Sequence, residues 1–238
     1  MKTFTPTRAV SRKTPPVPRL GTRGKPEESR AAILKAAVVE FADHGIAGAR
    51  TDAIAQTANV NKALLYYYFK DKDTLYEAVL DHVFNGLKER VVPVLERDLP
   101  PREKILQYLG AYFDYIAENP RFPRLVQVEW MRAPGKRTPQ MEGIAKQYFR
   151  PIYQRLVEVL QQGIAAGEFR PVNPLDFLPS VVGIILFYFS AAPVIKSLMK
   201  IDPLSPARIV ERRAFVLDFV SAALFKSSNT LELRVSKW

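Results

Sequence analysis

Residues Thr51 to Lys72, TDAIAQTANVNKALLYYYFKDK, constrain the fold more than any other stretch of the chain. Thr51 is a good helix start, because its hydroxyl can accept a backbone N–H. Ile54 and Ala58, four residues apart, turn one side of that helix toward a core. Asn59 tolerates the left-handed backbone that a tight turn needs. Val60 plugs the corner, and a further helix is expected from Asn61 to about Phe69.

The second of these helices has an unusual outer face. With Leu65 as the inward anchor and about 100° per residue, Ala63, Tyr66 and Tyr67 face away from the core. Lys62 and Leu64 flank them, and Tyr68 sits at the edge, where packing on the first helix is as good a role as contact with a partner. Three tyrosines in a row cannot all be buried on one side. Two short helices of this kind suit a DNA major groove. Ala63 allows close approach to base edges, tyrosine hydroxyls can bond phosphates or bases, and Lys62 can reach guanine N7 and O6 or a phosphate. Lys70 and Lys72 lie where the next helix begins and can meet backbone phosphate. Thr51 and the amides at the start of its helix can do the same.

Almost every segment after Glu27 carries helical periodicity, so an all-α chain is expected. A first helix spans about Glu27 to His44, with Leu34, Ala37, Val38 and Phe41 on one stripe and Gly45 as its stop. A fourth starts at Asp71 or Lys72 and continues toward Asp98, with Leu75, Val79, His82, Val83 and Gly86 on one side and Pro93 kinking or ending it. Further helices are expected at about 101–118, 121–132, 138–166, 174–198 and 206–226, the third of these bent at Pro151. Leu231, Leu233 and Val235 alternate and could pair as a short strand.

The formal net charge of +11 points to an anionic partner. It is unevenly placed. Residues 1–26 carry seven basic side chains and no acid, while residues 27–72 balance. The first 26 residues also hold five prolines and too little apolar surface to offset ordering, so a disordered basic tail is expected there. Cysteine is absent, which excludes disulfides and thiolate chemistry and fits a cytoplasmic location. With two histidines and no phosphate loop or nucleophile elbow, neither an enzyme nor a metal or other cofactor is expected. The longest apolar run, Val181 to Ala192, falls short of the roughly 20 residues of a membrane span and reads as a buried or interface helix.

Residues 30–80 resemble the DNA-binding domain of the TetR family of bacterial regulators. The matching features are ILKAAVVEFADHG, IAQTANV and NKALLYYYFKDKDTLYEAV, the last close to the family signature V-S-x-x-x-L-Y-x-H-F-x-x-K-x-x-L. The resemblance implies a homodimer on a near-palindromic double-stranded DNA operator, most simply a repressor released by a small-molecule effector. It also implies a helical C-terminal domain that dimerises and holds that effector. Carried over by position, Thr51, Lys62, Ala63, Tyr66, Tyr67 and Lys72 fall where the family touches DNA. Leu64, Asp52 and Tyr68 depart from the common pattern, the first two removing phosphate contacts. A basic DNA- or membrane-surface-associated helical protein without sequence preference is the alternative.

The expected organisation is a tail over 1–26, a three-helix helix-turn-helix domain over 27–73, a larger helical effector-binding and dimerisation domain over 74–226, and a C-terminal tail over 227–238. The larger domain holds most of the aromatics. Tyr112, Gln127, Trp130, Tyr148 and Tyr153 are candidate effector contacts, with Gln127, Glu129, Gln147 and Arg150 as candidate polar anchors. Val181, Val182, Ile185, Leu186 and Phe189 on one helix, and Phe215, Leu217, Phe219, Val220 and Leu224 on another, suit a four-helix dimer interface or burial within the monomer.

Overall fold

The computed structural model describes residues 26–132 and 139–226. The basic tail, save Pro26, and the C-terminal tail with its alternating leucines lie outside the described residues. Within them the chain is helical: α1 Pro26–Gly48, α2 Thr51–Thr57, α3 Lys62–Tyr68, α4 Lys72–Leu95, α5 Pro101–Glu118, α6 Phe122–Arg132, α7 Pro139–Ile144, a π-helical segment Ala145–Phe149, α8 Arg150–Ala165, α9 Pro174–Ser190, α10 Ala192–Met199 and α11 Pro206–Leu224. The only extended pairing among the described residues is an isolated bridge between Phe169 and Phe225.

The first three helices close on a small core. Ile33, Ala37 and Phe41 of α1 meet Ile54 of α2 and Leu65 of α3, all with no exposed surface. Gly45 breaks α1 at a positive φ of 63°, a conformation that suits glycine. Asn59 takes the left-handed turn at φ 54°. Two side chains start the next helices. Asn61 Oδ1 accepts the Leu64 N–H at 2.7 Å, and Asp71 Oδ1 accepts the Thr74 N–H at 2.7 Å.

Helix α4 belongs to both halves. Near its N-terminus the Tyr76 ring packs edge-on against Phe41 of α1, centroids 5.1 Å apart. Further along, Val83, Phe84, Leu87 and Val91 are buried where α4 packs on α5 and α8. Helix α5 is clamped to α11 by Arg213, whose Nε and guanidinium nitrogen donate to both oxygens of Asp114 at 2.7 and 3.0 Å.

The structure corrects several local expectations. Thr51 is the first residue of α2, not its cap; Arg50 holds the cap position and no side chain caps there. Leu64 is buried beside Leu65, so it does not flank the outer face, and the packed side of α3 is wider than one anchor residue suggests. His82 is exposed, not on the buried side of α4. Pro93 sits inside α4, which ends two residues later.

The long 138–166 helix bends before Pro151 through the π segment, where the Arg150 N–H reaches back to the Ala145 carbonyl. Proline gives no N–H to the carbonyl four residues back and its ring crowds that carbonyl, so the widened turn falls ahead of it. The 174–198 helix is two, α9 and α10, bent by 60°. Pro193 lies in the first turn of α10, where its missing N–H costs nothing.

Candidate DNA-binding interface

The outer face of α3 stands free in the described residues. Tyr67 is 77% exposed, Tyr66 is 42% exposed, and Ala63 lies open between them and Lys62. Tyr68 is half-buried and tilted on Phe69 at 6.5 Å. Its ring also meets Tyr67 edge-on at 5.3 Å, so Tyr68 buttresses the face.

Helix α2 is stitched to this face twice. The Thr51 hydroxyl lies 3.2 Å from the Tyr66 hydroxyl. Lys62 Nζ lies 2.8 Å from Asp52 Oδ1. Hydrogen bonding and charge from Lys62 hold the Asp52 carboxyl below the ordinary aspartate value, and the same contact raises Lys62. Lys72 is set differently. Its ammonium reaches the Ala47 and Ala49 carbonyls at 3.5 and 3.4 Å, pinning the corner between α1 and α2. An ammonium has three donors, so one remains for a phosphate. The six sequence-derived residues therefore share one end of the molecule, with Ala63, Tyr66 and Tyr67 outermost. Sequence reasoning missed the pairing of Asp52 with Lys62 and the capping role of Asn61. An asparagine directly before a helix was the available signal for the second; nothing in the residue order signals the first.

The five effector candidates are not brought together. Tyr112 is buried against an apolar cavity between α5, α8 and α9, its ring stacked with Tyr108 at 6.1 Å. Tyr148 donates to Asp81 at 3.0 Å and accepts from Gln147 at 2.9 Å; burial, with Asp81 beside it, raises its phenol to about 12. Gln127 is exposed on an open cleft between the end of α1 and α6. Trp130, 52% exposed, rims a separate cavity with Phe84 and Phe149. Tyr153 is half-buried and lines none of these. Of the polar anchors, Glu129 is buried, while Gln127, Gln147 and Arg150 are exposed.

The residues assigned to the dimer surface also divide. Val181, Ile185, Leu186, Phe189, Val220 and Leu224 are buried within the protomer. Phe187 of α9 and Phe215 and Phe219 of α11 stay exposed, the last two stacked at 6.0 Å. Among the described residues no single helix is long and apolar enough to cross a membrane.

A three-helix unit with a tight turn and an exposed second helix, joined to a larger helical body, defines a helix-turn-helix DNA-binding regulator. Comparison with known proteins agrees along most of the chain. The family model for bacterial regulatory proteins of the tetR family matches residues 33–79. The model for the tetracyclin repressor-like C-terminal domain matches residues 101–220. The chain is 27% identical over 182 residues to the HTH-type transcriptional repressor NicS of Pseudomonas putida, covering 74% of this chain and 82% of that one. It is 30% identical over 159 residues to the repressor KstR2 of Mycolicibacterium smegmatis, covering 66% and 75%. Among solved structures, the ketosteroid transcriptional regulator KstR2 of Mycobacterium tuberculosis superposes with a TM-score of 0.69 at 20% identity, over 87% of this chain and 98% of that one. The chain belongs to the TetR family. It is a DNA-binding transcriptional regulator.

Proposed function

We propose that this protein acts as a homodimer on a near-palindromic operator, with α3 of each protomer in successive major grooves about 34 Å apart. The supporting observation is the exposed face of Ala63, Tyr66 and Tyr67 on a helix anchored by Leu65. Residues 27–73 form the DNA-binding unit in this reading, and residues 74–226 the part that dimerises and binds effector. Tyr67 and Tyr66 read bases or phosphates, Lys62 reads base edges, and Thr51 and Lys72 meet the backbone at the flanks.

The exposed phenylalanines of α9 and α11 supply the dimer surface. Exposed large apolar side chains of this kind suit an interaction site, and a self-complementary surface closes as a two-fold dimer. The effector favours a dimer geometry in which the two α3 helices no longer fit the grooves, and it acts only through a difference in affinity between the two geometries. The work is done where the DNA is, in the cytoplasm.

The test is the double substitution Lys62→Ala and Tyr66→Ala. The variant is expected to melt near the parent, sediment as a dimer and lose operator binding in a gel shift. Normal operator binding by a folded, dimeric variant overturns the assignment of the face. Equal binding of operator and scrambled DNA by the parent protein favours the non-specific reading, since specific binders prefer their sites by a thousandfold or more, on the order of 10³.

A further inference from the structure

The reading of the chain as an effector-controlled repressor leaves open what the effector is and how it reaches the DNA-binding unit. A cavity between α4, α6, α7 and the π segment bears on both. Its volume is about 190 Å³. Phe84, Val126, Trp130, Ile144 and Phe149 line it, and Glu129 is its one charged lining residue among the described residues. That carboxylate is 2% exposed and is engaged elsewhere. It accepts the Tyr76 hydroxyl at 3.0 Å, with an Arg132 guanidinium nitrogen 3.9 Å away. Burial, with Glu129 beside it, pushes the Tyr76 phenol well above its ordinary value, so it stays a donor.

We infer that this cavity binds a neutral, ring-sized apolar molecule, and that the Tyr76–Glu129 hydrogen bond relays its arrival to α1. Size and chemistry carry the first half. An apolar cavity of about 150 Å³ takes up benzene, and this one is slightly larger. Its walls are three aromatic rings and aliphatic side chains. A charged ligand would lose part of its hydration against this apolar wall, and among the described residues it would meet only Glu129, already engaged with Tyr76, a cost that neutral rings escape. The π segment supplies Ala145 and Phe149 to the wall, and such widened turns often mark functional positions.

Connectivity carries the second half. Glu129 and Trp130 are neighbours on α6, so a molecule seated against Trp130 presses on the turn that holds Glu129. Glu129 holds Tyr76 of α4, and the Tyr76 ring packs on Phe41 in the core of the DNA-binding unit. Two further contacts tie α6 and the turn before it to α1: Arg124 pairs with Asp43 at 2.7 Å, and Arg121 lies 4.0 Å from it.

Trp130 is itself the reporter, since Trp238 is the only other tryptophan. In full-length protein carrying Trp238→Phe, toluene is expected to shift Trp130 emission to the blue and to saturate. Benzylammonium and benzoate are expected to leave it unchanged. Ala145→Phe, which fills the cavity from the π segment, is expected to abolish the toluene shift. Toluene is also expected to weaken operator binding about tenfold, the usual range of such coupling. Tyr76→Phe, which keeps the ring and removes the hydroxyl, is expected to keep the Trp130 shift and lose that weakening. No shift with toluene, an equal shift with the two ions, or a shift that persists in Ala145→Phe overturns the site. A saturating shift with unchanged operator affinity in the parent supports the site and overturns effector release. Equal weakening in parent and Tyr76→Phe overturns the relay alone.

Discussion

Asp52 is the residue whose placement says most about discrimination. An acid on the DNA-facing rim repels phosphate, yet here it lies 2.8 Å from Lys62. The pair keeps Lys62 from wandering over the backbone, which carries no sequence information. Asp52→Asn is therefore expected to strengthen binding to non-operator DNA more than to operator. The log–log salt slope should steepen by about one, as a freed lysine engages a phosphate. Fluorescence anisotropy on both DNAs across a salt series reads both effects. An unchanged operator preference would show that the pair has no role in selectivity. At this scale the sequence was partly legible. Stepping 100° from Leu65 finds Ala63, Tyr66 and Tyr67, because helix geometry fixes their direction. Asp52 lies ten residues from Lys62 across a turn, and only the angle between α2 and α3 brings them together. The scatter of Tyr112, Gln127, Trp130, Tyr148 and Tyr153 has a related cause. Aromatic content tells how much surface a helix must bury, but not against which neighbour.

Elements were read well where a cap or breaker acts on its own neighbours. Gly45, Asn59 and Asp71 each act within one turn: Gly45 breaks α1 three residues before its end, Asn59 turns the chain after α2, and Asp71 caps the start of α4. The stretch from 139 to 165 was read less well, because the effect of Pro151 falls on the preceding turn. The recognition helix itself is short, seven residues, below the length at which an isolated helix holds in water. It depends on packing and on its cap. Asn61→Ala removes the acceptor for the Leu64 N–H and is expected to cost about 1 kcal/mol. That corresponds to a fall in melting temperature of about 2–4 °C for a chain of this size. Operator affinity is expected to fall with it, because fraying starts at Lys62 and Ala63. Calorimetry and anisotropy on the same sample check the two together, and Asn61→Asp should restore both.

The whole molecule separates electrostatic reach from shape. The described DNA-binding unit is close to neutral, and the first 26 positions carry seven basic side chains with no acid, most of the net charge of +11. Deleting residues 1–24 is expected to weaken operator binding and flatten its salt dependence by about 0.9 for each cation that meets a phosphate; an unchanged slope would show that the tail does not touch DNA. Phe215→Glu with Phe219→Glu places two charges on the exposed face of α11. It is expected to shift sedimentation toward the monomer and weaken operator binding. Between these ends runs α4. Its 24 residues make a rod of about 36 Å, with Lys72 pinned under the corner of α1 and α2 and Phe84 halfway along at a cavity wall. Such a rod is a lever. A tilt of about 5° about its far end swings the near end by roughly 3 Å, given that length, comparable with the rise of one base pair. On the proposed reading, a small swelling in the body would be geared up in this way into a whole step of misregister at the groove.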